Sequence, residues 1–289
     1  MNPDWWIDHP EYVIIAATIV FYFCVLTVEF LVSKLLRKHN YGAYDSATNL
    51  SLYVGSLVID LIWVPIVFLV FTWAHSHSIT KLGYQWWLFQ GTTPTWHWLA
   101  LLVADDFCYY WFHRTSHRVW LLWASHENHH SSNYFNLSVS ARQTWTPFLA
   151  FVFWLPLAFI GFDPLMILTM QFVSLSLQGL IHTELIRNFG VLDWLFNSPS
   201  HHRVHHGSNA QYIDKNFAGV LIVWDRLFGT FAPEGEKVIY GTGSDLKGYH
   251  PFRTVSGEYL NMFHALLRKN GISRFLTPLR PPGWSPNEK

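Results

Sequence analysis

Charge is what this 289-residue chain lacks: Asp, Glu, Lys and Arg make up 13% of it, with 19 basic residues against 19 acidic. Ordinary soluble domains carry roughly 25%. So little polar side chain cannot cover a large soluble surface, and the absence of a clustered basic excess excludes a nucleic-acid interface. Cysteine is also scarce. Cys24 and Cys108 both sit in apolar stretches, which excludes a disulfide framework and leaves two small buried hydrophobes. No cleavable signal peptide is expected, because the N-terminus opens on acidic and Trp residues rather than a basic stretch. There is no internal repeat, no glycine-rich nucleotide fingerprint and no flavin domain, so any reducing equivalents must come from another molecule.

Apolar residues reach 51% and aromatics 18%, including 16 Trp and 23 Phe. Trp and Tyr suit a membrane interface, since one part of the ring is apolar and another polar. The apolar residues fall in long runs. The first, residues 12–32, matches the roughly 20 residues a helix needs to cross a bilayer, with Glu29 near its end. Lys34, Arg37, Lys38 and His39 follow at once and mark a cytoplasmic end, which leaves Asp4 and Asp8 outside. The second run is 50–73. Asp60 interrupts it as a candidate partner for another helix, and Pro65 is a candidate kink. The third, 86–110, is expected to span in its 96–110 half, with His97, Asp105 and Asp106 inside it. Residues 147–181 are too long for one span and are divided by Gly161-Phe162-Asp163-Pro164, which suggests a hairpin of 147–160 and 164–181. The expected fold is all-α and polytopic: four or five membrane-embedded helical segments, with residues 113–146 and 182–289 forming a cytosolic, histidine-rich metal-binding lobe. Residues 1–289 read as one unit. Two apolar pieces of the lobe, 217–224 and 259–267, are candidates to lie on the membrane or cap the metal site, and the Pro281-Pro282-Gly283 region reads as a tail.

The 17 histidines are clustered. His113 and His117 stand four apart and share a helix face. His126-x-x-His129-His130 and His202-x-x-His205-His206 repeat one spacing, in which adjacent histidines point about 100° apart and can serve two metals. With His182, alone after the last apolar segment, the set is nine. One tetrahedral ion takes about four ligands, so nine imidazoles fit two ions with open positions. Imidazole suits Fe, Zn, Cu and Ni alike, so ligand type does not name the ion. His201, Asp106, Asp214 and Asp225 are candidates to accept the other ring N–H of a ligand and fix its orientation. Arg114, Arg118, Arg142 and Arg203 are candidates to meet a lipid head group or a reductase. A rival pattern is present: His126-Glu127-x-x-His130 is a zinc-protease motif with Glu127 as general base, though it leaves the other histidines without work. A non-catalytic membrane scaffold is a third possibility.

These motifs resemble the fatty acid hydroxylase and sterol desaturase superfamily. The segments Asn197-Ser198-Pro199-Ser200-His201-His202-Arg203-Val204-His205-His206-Gly207 and Tyr212-Ile213-Asp214-Lys215-Asn216-Phe217-Ala218-Gly219, followed by Trp224-Asp225-Arg226-Leu227-Phe228-Gly229-Thr230, are similar to its alkylglycerol monooxygenase-like branch. The resemblance covers roughly residues 95–235, the expected catalytic region. It implies a non-haem centre of two Fe ions, O₂ as co-substrate, and hydroxylation of the alkyl or acyl chain of a membrane lipid. His113, His117, His126, His129, His130, His202, His205 and His206 are its catalytic ligands. The electron donor it implies is external: tetrahydrobiopterin, cytochrome b5 or a ferredoxin type. A desaturase and a sterol or carotenoid oxidase belong to the same superfamily. Zinc has no redox chemistry and does not suit an unactivated C–H bond.

Overall fold

The structure, a computed structural model, describes residues 10–79, 95–242, 250–268 and 272–282. Asp4, Asp8, the aromatic segment from Trp86 and the final Gly283 lie outside the described residues. Among the described residues all regular structure is helical, with two isolated antiparallel bridges, Phe196 to Leu221 and Gly207 to Tyr240.

Helix α1 is Pro10–Leu35 and α2 is Ala43–Ser76. These are the two helices, among the described residues, long and apolar enough to cross a membrane, α1 through its Ala17–Leu35 portion. At about 1.5 Å per residue, the 34 residues of α2 run to about 50 Å, longer than a hydrocarbon core of about 30 Å. The helix continues through Pro65. Both helices turn large apolar side chains outward, among them Ile19, Phe23 and Leu31 of α1 and Leu57, Leu61, Ile62 and Leu69 of α2. A soluble surface of this kind is an aggregation liability; against lipid chains it is the matching surface.

Helix α3, Thr95–Ser116, exposes a stripe of Trp96, Leu99, Val103, Phe107 and Trp111, spaced as one face of a helix. It outruns the expected span, which stopped at residue 110, by more than a turn. One continuous helix therefore carries both the apolar stripe and His113. Helix α4, Trp120–His130, follows directly.

The hairpin forms as a one-turn 3₁₀ helix, Ala150–Phe153, then α5, Leu155–Ile160, a left-handed Gly161 (φ 119°), and α6, Pro164–Leu180. Gly161 supplies the positive φ that ends α5. Asp163 caps α6 by accepting from the Leu165 and Met166 amides, with Pro164 at the first helical position. The ascending arm has few α-helical residues yet climbs α2 in register. Trp145 lies on Gly55, Phe148 on Trp63 and Phe159 on Trp73. The Ile79 amide donates to Phe159 O at 2.9 Å, so the tip meets the end of α2 remote from the histidines. A 3₁₀ rise of about 2.0 Å per residue makes that reach possible. Phe71, Leu101, Trp154, Leu157 and Ile167 form the core between α2, α3 and the hairpin.

At the other end of α1, the Glu29 carboxylate accepts from Tyr41 Oη, Thr183 Oγ1 and the Leu137 amide. A buried Arg142–Asp45 ion pair (3.0 Å) ties the start of α2 to the segment after α4, with Asn49, Ser131 and Ser132 completing its hydrogen bonds. Two short helices, α7 (Pro199–His205) and α8 (Val223–Leu227), and the longer α9 (Pro251–Leu267) follow.

Candidate metal centre

Nine histidines converge at one end of these helices, in two groups. His113 and His117 from the end of α3, His126 and His130 from α4, and His205 from α7 form one. His129 of α4, His182 just past α6, His202 of α7 and His206 just past α7 form the other; within each, one ring nitrogen per residue lies within 4.8 Å of all the rest. Neighbours in sequence part company. His129 and His130 fall in different groups, as do His205 and His206, because successive helical residues diverge by about 100°. The groups adjoin, with the His130 and His206 rings stacked at 4.4 Å.

The backbone decides which nitrogen faces inward. His113 Nδ1 lies 2.8 Å from Phe217 O, His205 Nδ1 3.0 Å from Lys215 O, and His182 Nδ1 2.9 Å from Gln178 O. A carbonyl only accepts, so each Nδ1 carries the proton, and in a neutral ring Nε2 is left with its lone pair. Burial and neighbouring imidazoles hold the pKa of His117, His126, His130 and His205 well below the usual histidine range, and the same causes act on His129, His202 and His206. His182 is pushed down to about 4, chiefly by burial. These rings are neutral donors near pH 7.

Nε2 meets Nε2 at 2.9 Å for His113 and His126, 3.1 Å for His126 and His130, and 3.1 Å for His130 and His205. In the second group the pairs His182 with His129, His202 with His182 and His206 with His202 stand at 3.2, 2.9 and 3.2 Å. Converging lone pairs at this range repel unless a proton or a cation lies between them. Ligands at about 2.1 Å from one ion stand about 3.0 Å apart at right angles and about 3.4 Å apart in a tetrahedron. The observed spacings match the wider coordination shell better than a closed tetrahedral site. His117 Nε2 is buried with no hydrogen-bond partner, an orphan an ion would satisfy. The donor set fits a pair of metal ions.

The carboxylate candidates act one layer further out than expected. Asp106 accepts from the Val220 and Leu221 amides and Trp224 Nε1, at 2.6, 2.8 and 2.9 Å. Asp225 accepts from the Phe217 and Ala218 amides, both at 2.8 Å, and from Thr230 Oγ1. Asp225 thus holds the peptide whose carbonyl orients His113 without touching the ring. Asp214, at a left-handed φ of 59°, comes only to 3.8 Å from His117 Nδ1 and 3.8 Å from Arg118 Nε, beyond hydrogen-bond distance. His201 belongs to neither group; its Nδ1 faces the Ser198 amide at 3.4 Å in a capping box that starts α7. Two of the arginines proposed for head groups are structural. Arg142 is committed to Asp45, and Arg203 makes a bidentate pair with Glu234 (2.9 and 2.7 Å) while donating to the Thr183, Ile186 and Arg187 carbonyls. Arg114 donates to Tyr110 Oη at 2.9 Å. Glu127 lies outside both groups and its Oε1 accepts from Thr242 Oγ1 at 2.9 Å. The orienting carbonyls of Lys215, Phe217 and Gln178 escape sequence reasoning, since every residue type carries one; the neighbouring Asn216, at φ 55° and donating to His201 O and Ala232 O, marks that turn.

Paired imidazole cages at the foot of helices with an apolar outer surface define an all-helical, membrane-type protein with a histidine-rich site suited to metal. Comparison with known proteins carries this further. Residues 98–230 match the fatty acid hydroxylase family. Alkylglycerol monooxygenase of Xenopus tropicalis is 36% identical over 285 residues, 97% of this chain and 61% of that protein. The Homo sapiens alkylglycerol monooxygenase is 35% identical, over 96% of this chain and 61% of that protein. Ornithine lipid hydroxylase OlsE of Rhizobium tropici is 30% identical over 51% of this chain and 46% of that protein. The chain thus spans about three fifths of the length of the two alkylglycerol monooxygenases. No solved structure matches it.

Proposed function

We infer that the protein is an O₂-dependent, non-haem di-iron hydroxylase acting on the alkyl or acyl chain of a membrane lipid. One observation carries the reading: nine buried or part-buried imidazoles in two adjoining cages, five and four, in a chain whose residues 98–230 match the fatty acid hydroxylase family. His113, His117, His126, His130 and His205 would hold one iron, and His129, His182, His202 and His206 the other. Bound iron would supply the redox chemistry that an unactivated C–H bond requires, since such a bond has neither an acidic proton nor a leaving group. The chain's part is positional. The Phe217, Lys215 and Gln178 carbonyls keep the proton on Nδ1 and the lone pair on Nε2, and burial keeps water and competing reactions away. One oxygen atom enters the C–H bond and the other leaves as water, with two electrons and two protons from an outside donor of the tetrahydrobiopterin, cytochrome b5 or ferredoxin kind. Similarity to alkylglycerol monooxygenases makes an ether-linked alkyl chain the first substrate to try.

In this reading residues 1–289 act as one unit, with 95–235 as the catalytic region. The chain has four or five membrane-embedded segments: α1, α2, α3 and the α5–α6 hairpin. The basic run Lys34 to Lys38 beside α1 sets the cages on the cytoplasmic side. Lys38 Nζ donates to Glu184 O, two residues from His182, which supports one level for both. The test is a comparison of lipids from cells with and without the gene under ¹⁸O₂, together with Mössbauer spectra of iron-57 protein purified anaerobically. A lipid heavier by a single labelled oxygen and a two-iron spectrum are expected. Loss of hydrogen without label would make it a desaturase, and one metal per chain would overturn the two-cage assignment.

A further inference from the structure

Helix α9 is far from the cages in chemistry but not in structure, because it packs along α4, the helix that bears His126, His129 and His130. Its buried side is Thr254, Val255 and Met262. Tyr259 Oη bonds Thr146 Oγ1 at 2.7 Å, and Glu258 accepts from Trp120 Nε1 at 2.6 Å. A second face is apolar and, among the described residues, largely uncovered: Phe252, Leu260, Phe263 and Leu267 are each more than half exposed. At about 100° per residue these four fall within about 80° of one another. Arg253, Asn261 and His264, also exposed, fall beside the stripe on one flank. In the 3₁₀ segment Ile272–Leu279, Phe275 and Leu279 are exposed as well.

Two further observations say what covers this face. The stripe is continuous with the apolar skin of α2: the Phe252 ring lies 5.1 Å from that of Trp145, which is seated on Gly55 and donates to Leu52 O at 2.9 Å. Gly55 sits where α2 begins to turn Leu50, Val54, Leu57 and Val58 outward, which is where the hydrocarbon would begin. The second is charge. In a chain of zero net charge, residues 250–282 carry Arg253, Arg268, Lys269, Arg274 and Arg280 against the single acid Glu258, and that acid is held by Trp120 and Asn261. Basic residues flanking a Phe/Leu stripe are the composition of a helix that lies in the plane of an anionic membrane surface.

We propose that α9 and the segment Ile272–Leu279 form an in-plane membrane element, bedded by their Phe/Leu stripe in the leaflet on the cage side and attracted there by anionic head groups. The element fixes the depth of α4, through Tyr259, Glu258 and the bond from the Trp120 amide to Arg280 O (2.8 Å), and so the height of the second histidine box above the lipid chains. This rests on the reading of the protein as membrane-integral, not on its substrate.

Single nitroxide labels test it, attached to cysteines at Leu260, Phe263, Leu267, Arg253 and His264 in a Cys24→Ala background (Cys108 is buried), with the full chain in phosphatidylcholine bilayers with and without phosphatidylglycerol. The first three labels should collide with O₂ more than with a water-soluble nickel chelate, the last two the reverse, and phosphatidylglycerol should deepen the first three. Equal aqueous exposure at all five overturns the proposal. So does shielding of the stripe from both reagents with spin–spin broadening, which would make the occupant a second copy. Unchanged depth on adding phosphatidylglycerol overturns the head-group attraction. A Phe263→Glu/Leu267→Glu variant should draw the Leu260 label into water and raise KM for bilayer-presented lipid several-fold with kcat unchanged; an unmoved label overturns the proposal. Label depth is read without turnover, so failure to oxidise any lipid would defeat the functional reading and leave this one standing.

Discussion

The two histidine cages differ in how they are assembled. The five-membered cage draws four of its rings from the contiguous α3–α4 stretch, and both of its carbonyl-oriented rings, His113 and His205, lean on one turn, at Lys215 and Phe217. The four-membered cage is gathered from three separate places. Its His182 is oriented from within its own chain turn by Gln178 O, and His202 Nδ1 is buried with no partner. The first cage is thus a local construction stiffened by a single turn. The second depends on the α6 hairpin returning to the right level, which the Glu29 bond to Thr183 and the Arg203 bond to Thr183 O secure from two sides.

The largest effect should come from breaking each cage in turn. His182→Ala removes one of four donors and His117→Ala one of five. Both should abolish oxidation, since neither iron is expected to work alone. Metal analysis should separate them: the His182 variant should fall toward one iron per chain, while the His117 variant, with four donors left in its cage, retains more of the second. Equal loss from both would mean that the cages bind as one cooperative unit.

Next in size is the turn that serves the five-membered cage. Asp225→Ala leaves the Phe217 and Ala218 amides and the Thr230 hydroxyl without their acceptor. At about 1–3 kcal/mol for each unsatisfied buried group, the loss should be about 3 kcal/mol or more, measurable by thermal unfolding in detergent. Gly219→Ala attacks the same turn sterically, because a Cβ there would lie 2.7 Å from Asp106 Oδ1, 2.8 Å from Gln178 Nε2 and 2.9 Å from Tyr109 Cδ1. Both changes should lower iron occupancy of the first cage more than of the second; the reverse order would contradict the division of labour.

A smaller effect follows from pH and tests both cages together. Their rings have folded pKa values below the unfolded value of about 6.5. Below pH of about 6.5 the unfolded chain takes up protons that the folded rings refuse, so stability falls as pH falls. The loss continues until the rings titrate, for His182 near pH 4. Metal-free protein should therefore melt progressively lower from pH 6.5 downward and show little change from 7 to 8. A flat profile through this window would mean that the rings are not buried as neutral donors.

How much of this was legible beforehand divides along the same line. His113, His117, His126 and His130 announce themselves through helical spacing, and the Gly161-Phe162-Asp163-Pro164 break predicts the hairpin turn, because both are local signals. The pairing of His182 with His129 and His202 is not local. It emerges from the climb of the ascending arm along α2, which no period in the sequence encodes. The carboxylates Asp106 and Asp225 were recognisable as buried partners but not by target, since a side chain's name does not say whether it accepts from a ring or from a peptide. The arginines misled for a similar reason: Arg203 stands inside a histidine box and Arg142 twelve residues after one, yet their forks are used up on Glu234 and Asp45 within the fold.

The smallest effect is the one that separates this site from a hydrolytic zinc site. Glu127 lies between the two cages in sequence and would be the indispensable base of a His-Glu-x-x-His protease. In the structure it is buried, and its Oε1 accepts from Thr242 Oγ1 at 2.9 Å. Because α4 advances about 100° per residue, Glu127 is turned away from the direction that carries His126 and His130 into the first cage. Glu127→Gln keeps the size of the side chain and a carbonyl oxygen that can accept the Thr242 proton, so its amide replaces the carboxylate with little loss of packing. Oxidation of lipid under O₂ should persist in this variant at a substantial fraction of the parent rate and with unchanged iron content, while His129→Ala, two residues on, should show none. An inactive Glu127→Gln protein with both irons in place would mean that the carboxylate handles a proton in the reaction, and the cages would then have to be read with Glu127 as a working member.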